Sequence, residues 1–160
     1  MIREFNKKDK ETLCRFFARL IEGHKDYISH GELQMGIATE VGVLANDFRE
    51  KWADYLDRQV ANERNRVLLC EEDGQLVGFV IFGISDDGGI PFGWIFDLGV
   101  DSAWRGKRIG EQLLGKALEF FREQGVESCY LESGKNNHSA HSFFEHHGFC
   151  PVSAVFRLKL

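Results

Sequence analysis

No stretch of the 160 residues approaches the roughly eighteen uninterrupted apolar positions that mark a membrane-spanning helix. The opening MIREFNKKDK lacks the apolar run of a secretory signal, so a cytoplasmic protein with no membrane partner is expected. Cysteine is sparse and scattered: Cys14, Cys70, Cys129 and Cys150 form no C-x-x-C pair. They read as buried, reduced thiols rather than as bridges or nucleophiles. Positive charge is short as well, with 20 Lys and Arg against 25 Asp and Glu and a net charge of -5. A nucleic-acid binder should carry a basic stripe, so nucleic acid is not an expected partner. The same balance makes a cationic ligand easier to attract than an anionic one. The remaining composition is ordinary for a globular chain, 43% hydrophobic and 28% charged, with no linker and no repeat. A chain of this size can bury roughly 70% of its unfolded surface around one core, and residues 1–160 are read as a single domain.

Hydrophobic spacing predicts the elements. Ile2 to Phe5 is a short apolar start, and Leu13, Phe16, Phe17, Leu20 and Ile21 then recur at helical spacing. Gly23 to Gly36 has no period and is expected to be a loop. A second helix is expected from about Thr39, with Val41, Leu44, Phe48, Trp52 and Tyr55 on one face. The pattern then turns to strands: Arg66 to Glu72 and Gln75 to Ile84 flank Asp73-Gly74, a strong hairpin signal. Pro91 to Val100 is a third strand of this group. Arg108 to Gln124 is helical with Gly125 as its C-cap, Glu127 to Glu132 a strand, Asn137 to His147 a short helix, and Phe149 to Leu160 a closing strand of alternating apolar residues. The order β-α-α-β-β-β-α-β-α-β gives an α/β fold with a mixed central sheet.

Chemistry concentrates in Trp94 to Gly110, WIFDLGVDSAWRGKRIG. A strand ends at Val100, a short loop follows, and Arg105-Gly106-Lys107-Arg108-Ile109-Gly110 opens a helix. Backbone amides and a helix dipole then aim at one place, and Arg105, Lys107 and Arg108 add cations in an otherwise acidic chain. The arrangement points to a phosphate or pyrophosphate site; the alternative is a solvated basic helix start. A P-loop is excluded because Glu111 follows Gly110 where Lys-Ser/Thr would be needed, and no G-x-G-x-x-G is present. A metal site among His138, His141, His146, His147 and Cys150 is not expected, because their helical directions diverge. Trp104 either covers a ligand or shields the helix start.

Arg105 to Gly110 resembles motif A, R/Q-x-x-G-x-G/A, of the GNAT superfamily of N-acetyltransferases, with Arg108 in place of the first motif glycine. Leu98-Gly99-Val100 is similar to the family's L-x-V, and NHSAHSFFEHHGF from Asn137 to Phe149 to its N-x-x-A-x-x-F/L-Y-x-x-x-G-F. A weaker likeness lies in Leu131-x-Ser133-Gly134 with Ala140-His141. The resemblance implies a GNAT-like fold and acetyl-CoA as cofactor. Arg105, Gly106, Lys107, Arg108, Ile109 and Gly110 would hold the pyrophosphate, while Leu98, Gly99, Val100 and Asn137 would hold pantetheine.

The implied reaction is direct attack of a primary amine on the thioester, with no covalent enzyme intermediate. An alkylamine with a pKa near 10.4 is only about one part in a thousand free base at about pH 7.4, a penalty of roughly 4 kcal/mol, so a general base is useful. Asp97 is the best-placed carboxylate; its bland alternative is a strand-end Asp bonded to a neighbouring amide. Phe144 stands where the family usually carries a tyrosine general acid, so it is expected only to wall the pantetheine channel. A thiol pKa near 8.5 lets water protonate the departing thiolate. On the acceptor side, Asp26, Tyr27 and Glu32 are candidates for amine binding, against a solvated loop. The substitution at Phe144 also motivates a second reading, a non-catalytic acyl-CoA-binding or regulatory module. Oligomeric state stays open, a homodimer being common among relatives.

Overall fold

Five strands form one sheet in the sequential order β1-β2-β3-β4-β5: β1 (Ile2–Glu4), β2 (Asn65–Glu72), β3 (Gln75–Ser85), β4 (Phe92–Val100) and β5 (Cys129–Leu131). The computed structural model describes all 160 residues. β1 to β4 are antiparallel neighbours, and β5 joins β4 in parallel. The β2–β3 turn follows its sequence signal: Asp73 and Gly74 both adopt positive φ, 51° and 75°, the backbone that a tight two-residue hairpin demands.

Helices cover both faces because each carries one apolar stripe. Helix α1 (Lys10–Glu22) buries Leu13, Phe16, Phe17 and Ile21, and α3 (Phe48–Ala61) buries Phe48, Trp52 and Leu56. Between them and the sheet, Trp52 stacks on Phe17 at 4.2 Å and meets Phe79 of β3 edge-on at 5.9 Å. On the other face α4 (Ile109–Glu123) buries Ile109, Leu113, Leu114, Ala117 and Phe121 against Val77, Val80, Phe82 and Ile95. A last helix, α5 (His138–His146), lies beyond β5.

Four expectations are corrected. The stretch from Gly23 to Gly36 is not wholly loop. It contains a short helix α2 (His30–Gln34), because Ser29 and Glu32 form a capping box across its first turn. The second long helix begins at Phe48 rather than near Thr39. Gly42 takes φ 84°, and Thr39 bonds Val43 through both backbone and side chain, so local turn bonds compete with the helix. Phe149 to Leu160 forms no strand, since it lies against no strand edge within the chain. All four cysteines are free, but only Cys70 is buried and Cys150 is exposed.

One irregularity matters for the site. Ile81 pairs with Asp97 but Phe82 pairs with Ile95, leaving Phe96 as an extra residue in β4, a β-bulge. Ile95 packs on the α4 side, and strict alternation would send Asp97 there too. The bulge instead turns Asp97 to the side of α1 and α3, where Phe96 also packs.

Close packing of β4 on α4 gives a stability test. A Cβ on Gly93 would stand 2.8 Å from ring carbons of buried Phe121. Gly93→Ala should cost about 1–3 kcal/mol by overpacking, read as a lowered urea midpoint with an unchanged m value.

Candidate active site

β4 and β5 run together only over Gly93–Ile95 and Cys129–Leu131. Beyond that point no pairing joins them, and the opening between Asp97–Val100 and the segment after Leu131 belongs to a cavity of about 530 Å³. That volume suits a small-molecule ligand. Its walls come from α1, the α1–α2 connection, β4, the start of α4, and α5.

The start of α4 presents free backbone donors to the cavity. The first helical bond of α4 near its start runs from Gln112 N–H to Arg108 C=O at 3.0 Å, so the amides of Ile109, Gly110 and Glu111 are left to donate outward. Gly106 and Arg108 both take positive φ, 76° and 62°, which folds successive amides into a concave nest. This is why a glycine suits the position that Arg108 fills, since a side chain in the left-handed region costs about 1–2 kcal/mol. The Arg108 guanidinium turns back to grip Glu111 through two bonds of 2.7 Å. Arg105 and Gly110 line the cavity. Lys107 does not; its ammonium sits 4.0 Å from the centroid of the Trp104 indole, and Trp104 itself lines the cavity.

Three carboxylates, Asp97, Glu32 and Glu132, also line the cavity. Glu32 accepts from the backbone and hydroxyl of Ser29 at 2.9 and 2.6 Å, and Glu132 accepts from His30 N–H at 3.1 Å. The Tyr55 hydroxyl of α3 donates to Asp97 Oδ2 at 2.6 Å. Tyr27 also faces the cavity, its ring stacked on His24 at 4.3 Å and Arg105 above it at 5.7 Å. Its hydroxyl is buried without a hydrogen-bond partner, a group that a ligand would satisfy.

Leu98, Gly99, Val100, Arg105, Gly106, Arg108, Ile109, Gly110, Asn137 and Phe144 are gathered around this cavity with Asp97, Tyr27 and Glu32. Asp26 is not; it lies outside, 3.9 Å from His24. Asn137 caps α5 by accepting from Ala140 N–H at 3.3 Å. The sequence reading missed Tyr55, which it assigned to an apolar helix face, and Glu132. No local signal marks Tyr55, because its partner is 42 residues away and is aimed by the bulge. Glu132 follows β5 directly, a position that could have marked it.

Burial of the Asp97 carboxylate pushes its pKa up to about 7; the Tyr55 bond pulls it down, and the Glu32 charge pushes it up. Tyr55 is pushed well above the ordinary phenol value by burial and by Asp97, so it stays a donor. Because the folded value of Asp97 lies above the unfolded 3.8, its contribution to stability is present below that value and is lost as pH rises towards 7. A ¹³C carboxyl resonance should titrate near pH 7 and vanish in Asp97→Asn. Tyr55→Phe removes the bond that favours the carboxylate, so the midpoint should move upward; a downward move would contradict this geometry.

Comparison with known proteins matches residues 35–149 to the model of the acetyltransferase (GNAT) family. The mycothiol acetyltransferase of Propionibacterium freudenreichii is 33% identical over 133 residues, 81% of this chain and 38% of that protein. An uncharacterised N-acetyltransferase of Archaeoglobus fulgidus is 28% identical over 148 residues, 89% of this chain and 88% of its own. The chain thus spans well under half the length of the first of these relatives. Among solved structures, a predicted acetyltransferase of Clostridium acetobutylicum with acetyl-CoA superposes with a TM-score of 0.71 at 16% identity, covering 99% of this chain and 95% of that one. The fold and the family match agree, and the chain belongs to the acetyltransferase (GNAT) family.

Proposed function

We propose that residues 1–160 act as one N-acetyltransferase domain that moves the acetyl group of acetyl-CoA to a cationic primary amine, with Asp97 as general base. The observation that carries this reading is the lining of one cavity by both the start of α4 with Arg105 and the carboxylates Asp97, Glu32 and Glu132. The first set suits an anionic cofactor and the second a protonated amine.

The residues fit the cofactor. The nest from Gly106 to Gly110 with Arg105 suits a pyrophosphate. Gly110 leaves room beside it, since a Cβ there would meet Phe143 no closer than 3.4 Å. Leu98, Gly99 and Val100 line the cavity beyond the point where β5 stops pairing with β4, so backbone groups on that side can take the pantetheine amides. Asn137 and Phe144 border the same channel. Arg108 borders the cavity with its guanidinium held by Glu111, and Lys107 adds positive charge from outside it, over Trp104.

When bound, acetyl-CoA supplies an activated thioester. Glu32 and Glu132 draw the ammonium in, and Tyr27 offers its unpartnered hydroxyl to the bound ligands. Asp97 takes the amine proton on Oδ1, the oxygen not engaged by Tyr55. A base poised near neutrality is matched to that task. Phe144 has no proton to give, so the departing thiolate is protonated by solvent. A cytoplasmic setting is consistent with this reading, and no helix is long and apolar enough to cross a membrane. Asp26, outside the cavity, adds to the acidic approach rather than to the site.

Two variants test the reading. Gly110→Trp should fill the nest and abolish the acetyl-CoA thermal shift, which at 100-fold the Kd corresponds to about 2.7 kcal/mol, while the unliganded fold persists. Asp97→Asn should keep that shift and lower kcat by about 10²–10⁴-fold across an amine panel. Wild-type chain that binds acetyl-CoA but acetylates no amine would favour the non-catalytic module suggested by Phe144.

A further inference from the structure

The carboxylates of the cavity continue onto an open aromatic surface. Gly93 and Ile95 face α4, so Phe92 and Trp94 face the opposite side of the sheet. The bulge at Phe96 returns Asp97 to that same side. On β5, Tyr130 stands opposite Trp94, and Glu132 follows two positions later and so shares its face. Each strand therefore leads from an aromatic ring to a cavity carboxylate, Trp94 to Asp97 and Tyr130 to Glu132. The rings form one cluster: Trp94 and Tyr130 lie 6.4 Å apart at 31°, and Phe92 meets Tyr130 edge-on at 5.5 Å. They belong to neither buried core. Across from them β3 offers only Gly83 and Ser85, so no large side chain of that strand covers them, and Tyr130 is 39% exposed. Elsewhere an Arg or Lys lies over each of Phe16, Phe48, Phe120, Tyr27 and Trp104, yet these three rings carry no cation of the chain's own.

Resting on the acetyl-transfer reading of the cavity, we propose that Trp94 and Tyr130 form an outer acceptor subsite for a second cationic group. The preferred acceptor is then an elongated amine that carries two positive charges. Charge accounts for the second group. An amine with a single charge gives it up to Asp97 before attack and then offers nothing to Glu32 and Glu132. A second ammonium or guanidinium group keeps its charge throughout the reaction. It can lie against the ring faces of Trp94 and Tyr130, which attract cations, with Glu132 on the same face. Glu132 is held there by His30 N–H, which donates to its Oε1 at 3.1 Å. The rings lie two to three residues behind the carboxylates, about 7–10 Å at about 3.3 Å per residue, and that sets the spacing between the two charges. An uncharged tail gains less, because the rings are half open to water and form no closed apolar pocket.

Wild-type kcat/KM should be about 3–10-fold higher for hexamethylenediamine than for hexylamine, which has the same length and one charge. Trp94→Leu/Tyr130→Leu keeps apolar bulk and removes the ring faces. It should raise the diamine KM by about 3–10-fold, leave the diamine kcat in place and move the hexylamine values far less. Trp94→Phe/Tyr130→Phe should restore the preference. If the double Leu variant loses its far-UV circular dichroism, Tyr130→Leu alone, at an exposed position, gives the same reading. Calorimetry on the chain saturated with CoA reads the subsite without turnover: the diamine should bind more tightly than hexylamine, and the Leu variant should erase the difference. Equal affinity for the two amines overturns the subsite even where both are acetylated. Tighter diamine binding with acetylation of neither amine overturns the acetyl-transfer reading and leaves the subsite standing. A two-chain particle that falls to one chain in the Leu variant gives the rings to a second copy and overturns the subsite.

Discussion

The bulge at Phe96 is the constraint on which the site depends. One inserted residue breaks the alternation of β4, so Ile95 feeds the core under α4 while Asp97 faces α1 and α3. There it meets Tyr55, and burial raises its proton affinity into the neutral range. The strand that carries this bulge also parts from β5 just beyond Ile95. A carboxylate aimed by the bulge and a cleft opened by the same strand are thus two consequences of one departure from regular pairing.

The cavity that results is lined by two kinds of group. One is backbone: a helix start whose first amides have no acceptor and a loop bent by Gly106 and Arg108 into a nest. The other is a set of carboxylates drawn from α2, β4 and the segment after β5, each fixed by a hydrogen bond from another element or from its own cap.

Much of the fold could be read before any coordinates. Asp73-Gly74 announced the hairpin, the spacing from Ile109 to Phe121 placed α4, and the Arg105–Gly110 motif placed the helix start that faces the cavity. What escaped was either very short or long-range. The Ser29-x-x-Glu32 capping box sat inside an aperiodic stretch, Gly42 broke a run that looked helical, and Tyr55 was hidden by its position on an apolar stripe. Lys107 and Asp26 had the right chemistry, but their side chains point elsewhere, onto Trp104 and towards His24. Residue type states what a group can do, and only packing states where it faces.

By itself, then, the sequence determined the periods, the turns and the motif at the start of α4, because these depend on neighbours within a few positions. The tertiary structure alone decided which side Asp97 faces, that Tyr55 bonds to it, and that Glu132 shares a wall with Glu32. It alone decided that the closing segment finds no edge within its own chain. Those outcomes turn on strand register and on elements separated by tens of residues. A single-residue shift in register reverses every side chain after it, and no local pattern records such a shift.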